Sequence, residues 1–169
     1  MSVEGARLER GSVRSLYRLE PMQLEDVSAV MDIEQVSFSN PWPKEAFVEE
    51  IRKNAFSHPT IACPRASRER IVCGYLIPWV VFDELHIQNV AVHPLHRGRG
   101  LGRHLVEEAV ELGKRSGCRV ALLEVRESNT IARALYVSMG FLEAGKRHKY
   151  YSHPQEHAIV YQKNLKDPR

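Results

Sequence analysis

Three stretches of the 169-residue chain carry residue types and spacings capable of chemistry. The first is Val90-Ala91-Val92-His93-Pro94-Leu95-His96-Arg97-Gly98-Arg99-Gly100-Leu101-Gly102-Arg103, which passes from an apolar strand pattern through arginines and glycines into a helical pattern. Glycine tolerates positive φ and lets backbone approach a ligand closely, so Gly98, Gly100 and Gly102 ahead of a helix predict a nest of N–H groups suited to an anion. Spacing excludes two familiar phosphate loops, since neither G-x-x-x-x-G-K-[ST] nor G-x-G-x-x-G fits. The second stretch is Ala121-Leu122-Leu123-Glu124-Val125, where Glu124 is a carboxylate inside an apolar strand pattern. Burial without a partner raises a carboxyl pKa and poises the group as a base near neutrality. The competing reading is a salt bridge to Arg126 or Arg147. The third is Tyr136, which shares one side of a predicted helix with Asn129 and Ala132, off an expected buried stripe of Ile131, Ala134, Leu135 and Ser138. A phenol so placed can donate a proton; the competing reading is an edge aromatic packed on a strand.

The elements that must position these residues are legible from periodicity. Tyr17 to Leu19 reads as a first strand, and Val27, Val30, Met31, Ile33 and Val36 predict an amphipathic helix beginning near Glu25-Asp26. Asn40-Pro41-Trp42-Pro43 breaks the chain before a second helix with Phe47, Val48 and Ile51 on its apolar side. Thr60 to Cys63 and Ile71 to Phe82 read as a strand pair, followed by a central strand from Leu85. Leu85 and Ile87 are out of phase with Val90 and Val92, so an extra residue around Gln88-Asn89 is expected to form a β-bulge. The next helix carries Leu101, Leu105, Ala109 and Leu112 on one face, with Arg103, His104, Glu107, Glu108 and Glu111 mostly on the other, and ends near Gly117. Arg119 to Val125 is a covered strand, Ser128-Asn129 caps a further helix that Gly140 stops, and Phe141 to Tyr151 with His157 to Asn164 closes the chain as a strand pair. This order predicts an α/β fold with a mixed sheet of six or seven strands, parallel only at its middle. The domain is expected to span residues 17–165, after a flexible lead-in of 1–16 and before a short tail of 166–169.

Composition narrows the classes. A chain 43% hydrophobic and 27% charged is ordinary for one globular domain. The net charge of +3 is mild and no aromatic-basic repeat appears, which disfavours direct nucleic-acid binding. Cys63, Cys73 and Cys118 are odd in number and widely spaced, so buried thiols are expected instead of a disulfide framework or a zinc site. The eight histidines show no metal-ligand spacing, and no metal is expected. No signal-peptide or membrane-spanning pattern is visible, so a soluble protein of the cytoplasm is the expectation.

Arg97-x-x-Gly100-x-Gly102 fits the [QR]-x-x-G-x-[GA] loop, and this stretch resembles that of the GNAT superfamily of acetyl-coenzyme A-dependent N-acetyltransferases. Three further segments are Leu123-Glu124-Val125-Arg126-x-Ser128-Asn129, Ala134-Leu135-Tyr136-x-x-x-Gly140-Phe141 and Arg147-x-x-Tyr150-Tyr151. With them the chain resembles the family of bacterial ribosomal-protein-alanine N-acetyltransferases over residues 20 to 165. The resemblance implies a single GNAT-type domain whose bulged central strand splays from its neighbour, with acetyl-coenzyme A as cosubstrate. By position it places Val90, Ala91 and Val92 beside the pantetheine chain. Arg97, Gly98, Arg99, Gly100, Leu101, Gly102 and Arg103 are placed at the pyrophosphate, and Asn129 as a further coenzyme A contact. Glu124 becomes the proton acceptor, Tyr136 the proton donor, and Tyr150 and Tyr151 the holders of the substrate's backbone. The implied acceptor is a protein N-terminus, specifically a ribosomal protein's N-terminal alanine, and the Lys146-to-Lys149 basic run bears on substrate preference.

The acceptor's own chemistry agrees. An α-amine with a pKa of about 7.7–8.0 is roughly a tenth neutral at pH 7, whereas a lysine near about 10.4 is neutral in less than about one part in a thousand. A single modest base therefore suffices for a protein N-terminus. Two other classes are open at this point: acetylation of a small amine, polyamine or lysine on the same fold, and a non-catalytic acyl-coenzyme A-binding module.

Overall fold

The structure, a computed structural model, describes residues 13–166. Its elements in chain order are β1 (Tyr17–Pro21), α1 (Val27–Ser37), α2 (Lys44–Arg52), β2 (Thr60–Pro64), β3 (Gly74–Val81), β4 (Glu84–Val92), α3 (Leu101–Arg115), β5 (Val120–Arg126), α4 (Thr130–Ser138), β6 (Leu142–Tyr151) and β7 (Glu156–Asn164). The strands form one seven-stranded sheet in the order β1-β2-β3-β4-β5-β7-β6. The β4–β5 pair is parallel and every other pair is antiparallel, so the sheet is parallel only where α3 crosses between those two strands.

Each face of the sheet has its own core. On one, Leu101, Leu105, Val106 and Ala109 of α3 and Tyr136 of α4 pack on Leu85, Ile87, Leu123 and Val125. On the other, Val27, Val30 and Ile33 of α1 and Phe47 of α2 pack on Ile61, Tyr75 and Ile77. Each fully buried aliphatic side chain contributes about 1.5–3 kcal/mol. These two layers hold the middle strands rigid from both sides. Cys63, Cys73 and Cys118 are free and buried, and burial pushes the Cys73 thiol up to about 11.

Three expectations change here. Residues 13–16, assigned to a flexible lead-in, form a helical turn whose Val13 is buried in the α3 core, while Arg65 donates to the carbonyls of Arg14 and Leu16, each at 2.8 Å. The remainder of the lead-in and the last three residues of the tail lie outside the described residues. His104, expected on the polar face of α3, is buried, and burial together with Arg14 lowers its pKa. The buried side of α4 is Ala132, Tyr136 and Met139, with Ile131 left 85% exposed. Apolar residues occur around most of this helix, so periodicity does not set its rotation; the large ring of Tyr136 takes the core position instead of Ile131.

Candidate active site

The expected bulge is present in β4. Ile77 pairs with Asn89 but Pro78 pairs with Ile87, which leaves Gln88 unmatched. The extra residue keeps Leu85, Ile87, Val90 and Val92 on the α3 side while Ala91 joins the core beneath α1. Pairing between β4 and β5 ends at Ile87–Leu123. Beyond that point Val90, Ala91 and Val92 have no strand on their β5 side, so an amide-bearing chain can lie along them as a strand would. Val90 and Val92 are half-buried and Ala91 is buried, which means they offer backbone more than side chains.

The loop after β4 completes this half of the site. Gly98 and Gly100 have φ of 75° and 82°, and Gly100 is the N-cap of α3, with no side chain capping the helix. The first-turn N–H groups of α3 and the positive end of its dipole are therefore directed at whatever anion approaches. Gly102 lies inside α3, where an added Cβ would meet Val92 and Leu135 at ordinary contact distances of 3.8 and 4.0 Å, so the protein itself does not require glycine there. Leu101 is buried in the core and can present only its backbone. Arg97 is a brace: its Nε donates to the Val92 carbonyl at 2.9 Å and its guanidinium to Ser37 Oγ at 3.0 Å. Arg103 donates to Ser138 Oγ at 2.6 Å and ties α3 to α4, leaving Arg99, exposed like Arg97, as the loop arginine without a hydrogen-bond partner among the described residues. Asn129 caps α4, its Oδ1 accepting from the Ala132 N–H at 3.2 Å, which leaves its amide N–H groups for a cofactor.

The other half of the site is a cavity of about 420 Å³ at the point where β4 and β5 part, lined by Trp42, Gln88, Glu124, Arg147, Tyr150 and Tyr151 among others. Glu124 alternates with Leu123 and Val125, so it points to the face opposite α3. It is not an unpartnered buried carboxylate: its side chain is 25% exposed and its Oε1 lies 2.8 Å from Arg147 Nε. The reason is topological. β7 separates β5 from β6, but Ala158 of β7 pairs with Arg126 on one side and Arg147 on the other, which brings Arg147 within reach of the end of β5. Hydrogen bonding to Glu124, followed by burial, raises the Tyr150 pKa; burial and then Glu124 push that of Tyr151 up to about 12. Arg126 stacks over the Tyr151 ring at 4.4 Å and Arg147 over the Tyr150 ring at 5.5 Å.

Tyr136 lies in the core on the α3 face of the sheet. Its ring packs against Phe141 and Tyr161 at centroid distances of 5.9 and 6.2 Å, and burial pushes its pKa up to about 12, so it is protonated throughout the neutral range. Its proximity to Tyr151 contributes to the raised pKa of that residue. Glu124 and Tyr136 thus lie on opposite faces of the sheet. Trp42, absent from the sequence-based site, enters the cavity from the break between α1 and α2; its Pro-flanked aromatic was the available signal.

Residues 27–141 match the acetyltransferase (GNAT) family. This chain belongs to that family. It is 37% identical over 139 residues to a Bacillus subtilis (strain 168) protein provisionally named a ribosomal protein bS18-alanine N-acetyltransferase, covering 82% of this chain and 89% of that one. It is 31% identical over 144 residues to the enzyme of that name from Escherichia coli (strain K12), covering 84% and 93%. The crystal structure of the ribosomal-protein-S18-alanine N-acetyltransferase from Escherichia coli superposes with a TM-score of 0.79 at 29% identity, covering 91% of this chain and 97% of that one. The fold expected from the sequence is therefore the fold of this family. Among the described residues, no helix is long and apolar enough to cross a membrane.

Proposed function

We propose that this chain transfers the acetyl group of acetyl-coenzyme A to the N-terminal α-amine of a protein, with a ribosomal protein's N-terminal alanine as acceptor. That acceptor would put the reaction in the cytoplasm, where ribosomal proteins are made. The observation that carries this reading is the cavity at the parting of β4 and β5, onto which Glu124, Tyr150 and Tyr151 converge beside an unpaired strand edge and an uncapped helix N-terminus. The names of the two bacterial relatives support the choice of acceptor.

In this reading the free edge at Val90, Ala91 and Val92 holds the pantetheine arm, while the N–H groups around Gly98 and Gly100, with Arg99, hold the pyrophosphate. The acceptor's backbone lies against Tyr150 and Tyr151. Its ammonium displaces Arg147 from Glu124, and Glu124 takes a proton as the amine nitrogen attacks the thioester carbonyl. The new C–N bond forms, the C–S bond breaks, and the departing thiolate receives the Tyr136 phenolic proton. The second proton shed by the nitrogen returns through solvent to the Tyr136 phenolate, and Glu124 releases the first to bulk water. The sheet separates the two proton-transfer groups, which keeps the base on the amine side and the acid on the sulfur side.

The test is incubation with acetyl-coenzyme A and two peptide sets, one with free N-terminal alanine and blocked lysines, the other with a blocked N-terminus and free lysines. Mass spectrometry is expected to find acetyl on the α-amines. Acetylation confined to lysines, or to polyamines in a parallel assay, would contradict the reading.

A further inference from the structure

A second carboxylate lies beneath the site, and the mechanism above does not use it. Glu34 of α1 is 1% exposed, and among the described residues no cation pairs with it. Three donors from three separate segments meet its two oxygens. The Trp42 N–H donates to Oε1 at 2.8 Å, Asn89 Nδ2 donates to Oε2 at 3.0 Å, and the Tyr75 hydroxyl also donates to Oε2. Burial, and then Glu34 itself, raises the Tyr75 pKa, so the phenol remains a donor. Such a set of hydrogen bonds offsets the cost of burying the group.

Two of these donors belong to walls of the site. Asn89 follows the bulge residue of β4 and immediately precedes the free edge at Val90. Trp42 lines the acceptor cavity. Its ring sits 5.4 Å from Phe47, which sits 5.7 Å from Tyr75, so an aromatic run links two of the donor residues. An apolar side chain would fill this space, and replacing buried charged groups by well-packed apolar ones is often neutral or stabilising. What apolar packing lacks is direction. Hydrogen bonds from opposite ends of one carboxylate fix the Trp42 backbone relative to the cofactor strand.

We infer that Glu34 is a positioning residue, holding the Trp42 wall of the acceptor groove in register with the cofactor-binding edge of β4. The inference rests on the proposed Nα-acetyltransferase reading for its substrate but not for its geometry. An aspartate at this position would be one methylene too short to reach Trp42 and Asn89 together. A glutamine keeps the span: its carbonyl accepts from the Trp42 N–H and its amide donates to Tyr75 and Asn89 once these turn to accept.

Glu34→Asp is therefore expected to raise the KM for an N-terminal alanine peptide by about tenfold while the Kd for acetyl-coenzyme A moves by less than about threefold, and Glu34→Gln should stay near wild type in both. Asn89→Ala, a milder cut of the same network, should raise the peptide KM by about threefold and covers the case in which the Glu34→Asp variant does not fold. A readout independent of activity comes from Trp79→Phe, which leaves Trp42 as the single tryptophan. In that background Glu34→Asp should shift the emission to the red and Glu34→Gln should not. Equal losses in the two Glu34 variants, or parallel rises in peptide KM and cofactor Kd, would overturn the inference and leave Glu34 purely structural. If wild type acetylates no peptide, the parent reading fails, while unshifted Trp42 emission in Glu34→Asp would separately overturn this one.

Discussion

The two halves of the site are built from different materials. The cofactor half, from Val90 to Arg103, is made of backbone: a strand edge without a partner, two glycines at positive φ and a helix N-terminus with no side-chain cap. The acceptor half is made of side chains from the α1–α2 connection, β5 and β6, held by ion pairs and ring contacts across strands far apart in sequence. A backbone-built site must be contiguous, because the same few residues set both its conformation and its ligands. A side-chain site needs only that the fold bring its parts together, so it can be retuned without disturbing the cofactor half. Substitutions should therefore separate cleanly into those that change cofactor affinity and those that change turnover or acceptor binding.

The largest expected effect tests that separation at Glu124. Glu124→Gln should lower kcat/KM at pH 7 by about 10²–10⁴ while the Kd for acetyl-coenzyme A stays nearly constant, as calorimetry would show. Next is Tyr136→Phe, which keeps the ring against Phe141 and Tyr161 and removes one proton: kcat should fall by about 10²-fold with the melting temperature little changed. If Tyr136 only packs, Phe will be silent in kcat and Ala will destabilise the protein by about 3–5 kcal/mol. On the cofactor side, Gly100→Val should weaken acetyl-coenzyme A binding by more than about tenfold. It should also cost about 1–3 kcal/mol of stability, since a β-branched residue is strained at φ 82°. Unchanged affinity in the folded variant would break the comparison, since the backbone half would then not depend on its backbone. The smallest effect is expected from Tyr150→Phe, an exposed residue: a few-fold rise in peptide KM with kcat and cofactor Kd preserved.

The same contrast explains what the sequence made legible. The bulge showed as a phase slip between Ile87 and Val90, and the loop as glycine spacing, because both are local properties of consecutive residues. The order of strands and the parallel middle pair followed from the alternation of strand and helix patterns. Arg147 was a named candidate partner for Glu124, but the choice between it and Arg126 depended on how β7 sits between β5 and β6, which no local pattern encodes. The rotation of α4 was misjudged because Ile131 and Tyr136 are both suited to burial and only packing against Phe141 and Tyr161 decides between them. Glu34 was invisible as a site residue for a related reason: two of its donors, Tyr75 of β3 and Asn89 of β4, lie more than forty residues away in the chain, and for Trp42 the flanking prolines were the one local signal.

At the centre of the proposed chemistry, Glu124 takes the acceptor's proton in a groove that also binds the α-amine. The most direct measurement is the pH profile of kcat/KM for wild type and Glu124→Gln on one N-terminal alanine peptide. At low and neutral pH the amine is protonated and needs the base; above its pKa of about 7.7–8.0 it does so less and less. The deficit of the Glu124→Gln variant should therefore narrow as pH rises through that range, while Tyr136, with its pKa pushed up to about 12, remains protonated as the donor. Profiles that run parallel, or a Glu124→Gln variant fully active at every pH, would show that Glu124 only anchors Arg147 and that the proton leaves by another route.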